Sequence, residues 1–266
     1  MNNSDRRLAL ITGASSGIGE AFARRLAKQG YDLIITGRRE ERLKALAEEL
    51  SQAHGVVVEV MVADLTDPRE IEALAKKVEA TPELDLLINN AGFGSRRRFH
   101  EEELASQEAM VRVHILATLT LTHAAIPNMI KKGRGAIINV SSLAAFAPLP
   151  KTAVYSGTKA FLSTFSEGLS LELARTGVRV QALCPGFTRT EFHSRLGLDT
   201  ARLRNKGFIR WMATEEVVSA SLACLAKGRV ICIPGWENKA VFHLLRLIPR
   251  RLYYKFAPGP GSRGRD

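Results

Sequence analysis

Seven short runs rich in Val, Ile and Leu punctuate the first 233 residues, at 8–12, 32–36, 56–62, 84–89, 136–140, 179–183 and 230–233. Continuous apolar runs of this length predict strands buried on both faces. Between them apolar positions recur every three or four residues, which predicts helices over 17–29, 39–53, 67–80, 103–131, 153–175 and 214–226. Asp67 followed by Pro68 is a helix start, as is Thr214-Glu215-Glu216 with its early carboxylates, and Gly30 and Gly177 fall where helices should stop. Strict alternation of strand and helix implies an α/β fold: a doubly wound parallel sheet of about seven strands, with right-handed crossovers and helices on both faces. One domain over 1–237 is expected. Segment 187–212 is too long for a plain connection and reads as a lid. Beyond it, 238–256 reads as an extra helix in a basic, apolar extension (238–266) whose end, 258–266, is expected to be disordered.

Composition narrows the class. With 45% apolar residues in 266, the core can be large. No apolar run approaches membrane-spanning length, and the first residues carry no secretory signal, so no span and no export are expected. Three scattered cysteines, Cys184, Cys224 and Cys232, suit neither a disulfide framework nor a metal site, and a reducing cytoplasm is the simplest home. The net charge of +11 is concentrated in the extension, with Arg96-Arg97-Arg98 adding a second cluster. Solvated charge is the first reading of it. Anionic lipid or an acidic substrate is the alternative, and no nucleic-acid motif is present.

The chemistry-bearing residues begin at Thr12-Gly13-Ala14-Ser15-Ser16-Gly17-Ile18-Gly19, between the first strand and the first helix. Gly13 permits a tight turn, Gly17 lets backbone approach a pyrophosphate, and Gly19 lets helix pack on strand. The helix amino end then offers free N–H groups to the phosphates, a Rossmann-type arrangement. Downstream come Asn89-Asn90-Ala91-Gly92, Ser142, and Tyr155 with Lys159 one helical turn on.

In order and spacing these motifs resemble the short-chain dehydrogenase/reductase superfamily, in its compact single-domain branch, over about residues 6–233. The resemblance implies a seven-stranded Rossmann-type sheet and NAD(P)-dependent interconversion of a carbonyl and a secondary alcohol. It implies that Ser142 holds the carbonyl oxygen, that Tyr155 is the general acid/base, and that Lys159 assists it and bonds the nicotinamide ribose. A phenol titrates near 10, so a nearby ammonium and the cationic nicotinamide are expected to lower the pKa of Tyr155. Ser141 is the competing serine; strand alternation turns it the other way.

Strand two ends in Gly37-Arg38-Arg39 with no carboxylate, so Arg38 or Arg39 should accommodate a 2′-phosphate, and NADP is preferred over NAD. The resemblance assigns Asp64, with Leu65, to the adenine. It assigns Asn90, Ala91 and Gly92 to a close cofactor approach, and the turn Pro185-Gly186, with Thr190 or Thr188, to the nicotinamide end. One position departs from the family: His114 stands where an asparagine usually stabilises a helix kink and a water-linked proton path. Histidine there is either a relay or a neutral packed residue.

Phe93, Leu143, Phe146, Pro148, Leu149 and Pro150, with Phe187, Phe192, Leu196, Leu198, Phe208, Ile209, Trp211 and Met212 of the lid, suggest an apolar pocket with one polar focus. A moderately large apolar ketone, aldehyde or alcohol is the expected substrate. Arg96–Arg98 read first as a solvated loop, with a substrate phosphate or carboxylate as the alternative. The extension could cover the pocket, pack on another subunit or lie on an anionic membrane. A homodimer or homotetramer built on the long helices follows from the resemblance. Two rival functions are a non-catalytic NADP-binding regulator and a membrane-surface lipid or acyl ketone reductase.

Overall fold

The computed structural model describes residues 6–196 and 210–256. Seven parallel strands, β1 (Leu8–Thr12), β2 (Asp32–Gly37), β3 (Val58–Val62), β4 (Leu84–Asn89), β5 (Gly135–Val140), β6 (Val178–Leu183) and β7 (Ile231–Cys232), lie in the order β3-β2-β1-β4-β5-β6-β7. The order reverses between β1 and β4, where Ile11 pairs with Ile88. A crevice opens beyond the carboxyl ends of strands at such a switch point.

Alternation along β1 divides the core. Ala9 and Ile11 face one layer with Phe22 and Leu26 of α1 (Gly17–Lys28), Leu43 of α2 (Glu40–His54) and Val217 of α8 (Thr214–Ala226). Leu10 faces the other, with Ile71 and Leu74 of α3 (Pro68–Glu79), Leu121 and Ala125 of α5 (Ala117–Lys132) and Leu169 of α6 (Ala153–Glu172). The expected start signals hold. Asp67 accepts the Arg69 N–H at 2.8 Å, and Glu216 accepts the Ala213 N–H at 3.1 Å.

Four expectations need correction. Among the described residues β3 is the end strand of the sheet, which leaves Glu59 and Val62 exposed. The helix expected over 103–131 is α4 (Leu104–Val111) and α5 joined by a π-helical turn, Arg112–Leu116, that carries His114. Leu104–Lys132 as a whole is long and apolar enough to cross a membrane by length and composition, which the search for uninterrupted apolar runs missed. Here it is a core helix: Leu121, Ala124 and Met129 are buried against the sheet and α3. Lastly, the helix expected over 238–256 starts earlier and breaks at Pro249, giving α9 (Trp236–Leu247) and α10 (Arg250–Phe256). The expected disordered end, 258–266, lies outside the described residues.

Candidate active site

The ends of β1 and β4 are stapled together. Thr12 Oγ1 accepts the N–H groups of Asn90 (2.9 Å) and Ala91 (3.0 Å), and Asn90 Nδ2 donates to Thr12 O at 2.9 Å. This forces close packing that only glycine permits. A Cβ on Gly13, whose φ is +68°, would lie 2.9 Å from Ala91 Cα, and one on Gly19 would lie 2.4 Å from Gly13 O. Ser16 is the N-cap of α1, yet its side chain makes no capping bond, so the first-turn amides of Gly17, Ile18 and Gly19 stay open to a ligand. This cradle fits a dinucleotide pyrophosphate. The Ile18 side chain packs on the core and leaves only its backbone to the cradle. Thr190 Cγ2 would lie 3.1 Å from a Cβ on Gly17, so the segment after the Pro185-Gly186 turn stands over the cradle.

The two candidate arginines separate. Arg39 reaches into the turn, with Nε donating to Ser15 Oγ (3.1 Å) and Nη2 to Ser15 O (3.0 Å). Its third arm pairs with Glu191 of α7 (Glu191–Arg195) at 2.7 Å, and Arg42 pairs with the same carboxylate at 2.5 Å. Hydrogen bonds from Arg42 and Arg39 hold the Glu191 carboxyl down at about 2. Arg38 is exposed and lies 3.8 Å from Asp64. Asp64 accepts the Thr66 N–H and hydroxyl, a local turn at the crevice edge. The Leu65 side chain is buried in the second core layer, so only its backbone can reach a cofactor, a narrower role than the sequence suggested.

Ser142, Tyr155 and Lys159 converge past the end of β5. Ser142 caps the short 3-10 turn Leu143–Ala145, accepting the Ala144 N–H at 3.1 Å. Ser141 points away as alternation requires, into bonds with Lys159 O and Ser163 Oγ. Lys159 is buried; Nζ donates to Val140 O at 2.8 Å and lies 5.6 Å from the centre of the Tyr155 ring. The expected lowering of the phenol by this ammonium is corrected. Burial dominates and raises Tyr155, opposed by a hydrogen bond from Ser142, because the ammonium sits over the ring and spends a proton on a backbone carbonyl. Lys159 is itself pushed down to about 8 by burial.

His114 joins three elements. Its Nε2 accepts the Phe93 N–H at 3.1 Å. Thr158 Oγ1 gives its proton to Tyr155 O at 2.8 Å and so must accept from His114 Nδ1, also at 2.8 Å. Both nitrogens are engaged and one tautomer is fixed; burial drives the pKa well below the usual value. Of the two sequence readings, the structure selects the neutral packed one. The ring also packs edge-on against Tyr155, with centroids 5.9 Å apart, and a Cβ on Gly92 would collide with it.

The opposite wall is the turn Pro185-Gly186. Pro185 O accepts the Leu143 N–H, tying this turn to the Ser142 loop. Thr188 is buried and bonds Gly186 O, leaving Thr190 as the threonine that faces the cradle. Met212 pairs with Phe187 and Arg189 through backbone bonds, joining the two described ends of segment 187–212. Phe192 lies over Tyr155, with centroids 5.7 Å apart. Phe146 meets Phe242 at 4.7 Å, and Phe187 meets Trp211 at 5.0 Å. Leu198, Phe208 and Ile209 lie outside the described residues. Arg96, Arg97 and Arg98 are all exposed, and Arg97 borders a shallow recess that reaches Tyr155.

Sequence reasoning missed three supporting groups. Asn238 of α9 packs on Gly186, where a Cβ would lie 2.5 Å from its Oδ1. Asn139 joins Asn89, already part of the motif read from the sequence, in a buried chain from Thr122 to Ser166; an asparagine inside an apolar strand run was the available signal. Glu191, directly after Thr190, offered no signal before the fold placed it beside Arg39.

Residues 7–200 match the family model described as short chain dehydrogenase. The chain is 44% identical over 185 residues to a serine 3-dehydrogenase of Agrobacterium fabrum, covering 69% of this chain and 72% of the relative. A short-chain dehydrogenase from Sphingobium yanoikuyae in complex with NADPH superposes with a TM-score of 0.83 at 34% identity, over 98% of this chain and 99% of the other. The bulky-bulky ketone specific alcohol dehydrogenase from Comamonas testosteroni gives 0.78 at 31% identity, over 92% and 95%. The glycine cradle at the switch point, the serine, tyrosine and lysine past β5, and these matches together make one statement: the chain belongs to the short chain dehydrogenase family of oxidoreductases.

Proposed function

We propose that this protein is an NADP-dependent oxidoreductase that interconverts a carbonyl and a secondary alcohol on a moderately large apolar substrate. The nicotinamide, when bound, supplies or accepts the hydride. Residues of this chain do the rest. Tyr155 gives a proton to the carbonyl oxygen in reduction and takes it back in oxidation, Ser142 holds that oxygen, and Lys159 supports the phenol and the ribose. Arg39 binds the 2′-phosphate, with Arg38 at the rim. Asp64, the Leu65 backbone and Asn90–Gly92 line the adenosine side of the groove, with Pro185, Gly186 and Thr190 at the other end.

The observation that carries this reading is the meeting of Ser142, Tyr155 and Lys159 beside an uncapped helix amino end. An apolar substrate suits Phe192 over the phenol and the Phe146–Phe242 pair at the loop after Ser142. The neighbour specific for bulky-bulky ketones, matched over nearly the whole chain, supports the same class. Exposed Leu104, Leu116 and Leu171 on the long helices suit a homodimer or homotetramer, and free cysteines suit a reducing cytoplasm.

The test is NADPH consumption with a panel of carbonyl compounds. Tyr155→Phe should abolish turnover while NADPH still binds. A wild-type protein that binds NADPH and turns over none of the panel would instead favour the non-catalytic regulator.

A further inference from the structure

The C-terminal arm has two faces of different character. Its inner face is anchored to the body: Phe242 is buried against Phe146, Asn238 sits on Gly186, and Tyr253 donates to Pro148 O at 2.7 Å. Its outer face carries Trp236, Ala240, Leu244 and Leu247, spaced so that all four align along one side of α9. Trp236 is 67% exposed, Leu244 58% and Leu247 80%, and Leu252 of α10 is also exposed. The charge around this stripe is of one sign. Lys239, Arg246 and Arg251 are exposed on the two helices, and the acid that α9 carries, Glu237, is paired with Arg210.

We propose that this stripe docks the protein on an anionic phospholipid surface. Trp, Leu and Leu would sink into the headgroup boundary while the cations bind lipid phosphate and carboxylate groups. Charge complementarity selects this occupant. A second copy seated stripe to stripe would bring the two sets of cations together without acids between them. The arm holds Pro148 of the loop that follows Ser142, so the docked face lies beside the apolar wall of the active site. A lipid-soluble ketone would then reach the phenol from the membrane, a consequence that rests on the proposed activity; the docking itself does not.

The experiment uses the full chain and vesicles of phosphatidylcholine with or without about 30 mol % phosphatidylserine. Wild type should co-sediment with the anionic vesicles and not the neutral ones, and raised salt should release it. Leu244→Glu/Leu247→Glu changes only exposed positions. It should keep NADPH binding and lose at least about tenfold in vesicle affinity. Lys239→Glu leaves the apolar stripe whole and should weaken binding to anionic vesicles severalfold. A lipid-borne quencher should dim Trp236 and not the buried Trp211. Wild type failing to bind the anionic vesicles, or the double variant binding as wild type does, overturns the proposal. A fall in oligomer size in the double variant, with no vesicle binding by wild type, would assign the stripe to a second copy and overturn it equally.

Discussion

Lys159→Met should stabilise the protein while removing its activity. Lys159 is 5% exposed, its ammonium has one described hydrogen-bond acceptor, Val140 O, and burial pushes its pKa from 10.5 to about 8. At about 1.4 kcal/mol per pKa unit, that drop corresponds to ~3 kcal/mol by which folding disfavours the charged form. The sign follows from proton counting. Between about pH 8 and 10.5 the unfolded chain holds a proton that the folded protein has lost, so stability rises with pH across that window. Below pH 8 the full penalty applies. Methionine matches the lysine stem without the charge and gives up one hydrogen bond, worth about 1 kcal/mol. The net expectation is a gain of about 2 kcal/mol at pH 7, or roughly 4 °C in Tm for a chain of this size. Calorimetric melts of wild type and variant at pH 7 and near pH 10 test it. The gap should be largest at pH 7 and close as lysine neutralises in both states. A variant that melts lower than wild type at pH 7, or a gap that ignores pH, would refute the reasoning that the ammonium is held at a cost for its chemistry.

Other perturbations probe the site piece by piece. Glu191→Gln removes the carboxylate that shares Arg39 and Arg42, so NADP+ should bind about fivefold tighter, on the order of 1 kcal/mol, with NAD+ unchanged in the same fluorescence titration. Gly19→Ala drives a methyl into Gly13 O and Asn90 Nδ2; NADPH affinity should fall at least about tenfold and stability by roughly 1–3 kcal/mol, read by titration and melting. The His114 imidazole should remain neutral throughout an NMR titration from pH 8 down to 5.5, because its depressed pKa and two fixed bonds oppose protonation. Since burial raises the phenol and lowers the lysine to about 8, carbonyl reduction should hold steady below pH 8 and decline above it, whereas alcohol oxidation climbs toward alkaline pH.

Much of this molecule is written in short-range pattern. Apolar runs placed the strands, period-3.6 stretches placed the helices, and one glycine-rich turn placed the phosphate cradle, because each depends on neighbours within a few residues. Where longer range intervenes, the pattern fails in identifiable ways. β3 has strand periodicity whether central or at an edge, and only sheet order exposes Glu59. The π turn at His114 leaves the apolar spacing nearly intact, so periodicity alone gave one helix, and only the resemblance pointed to a kink there.

The chain by itself determined that a phenol and an ammonium lie one turn apart on a helix, that a serine follows the fifth strand, and that arginine ends the second. Only the folded structure decided what surrounds them. It set the ammonium over the ring with its proton on Val140 O, fixed the His114 tautomer through Phe93 and Thr158, and joined Arg39 to a carboxylate 152 positions away. Residue identity and local spacing are properties of the sequence. Burial, hydrogen-bond partners and the pKa values they set depend on which distant segments the fold brings together.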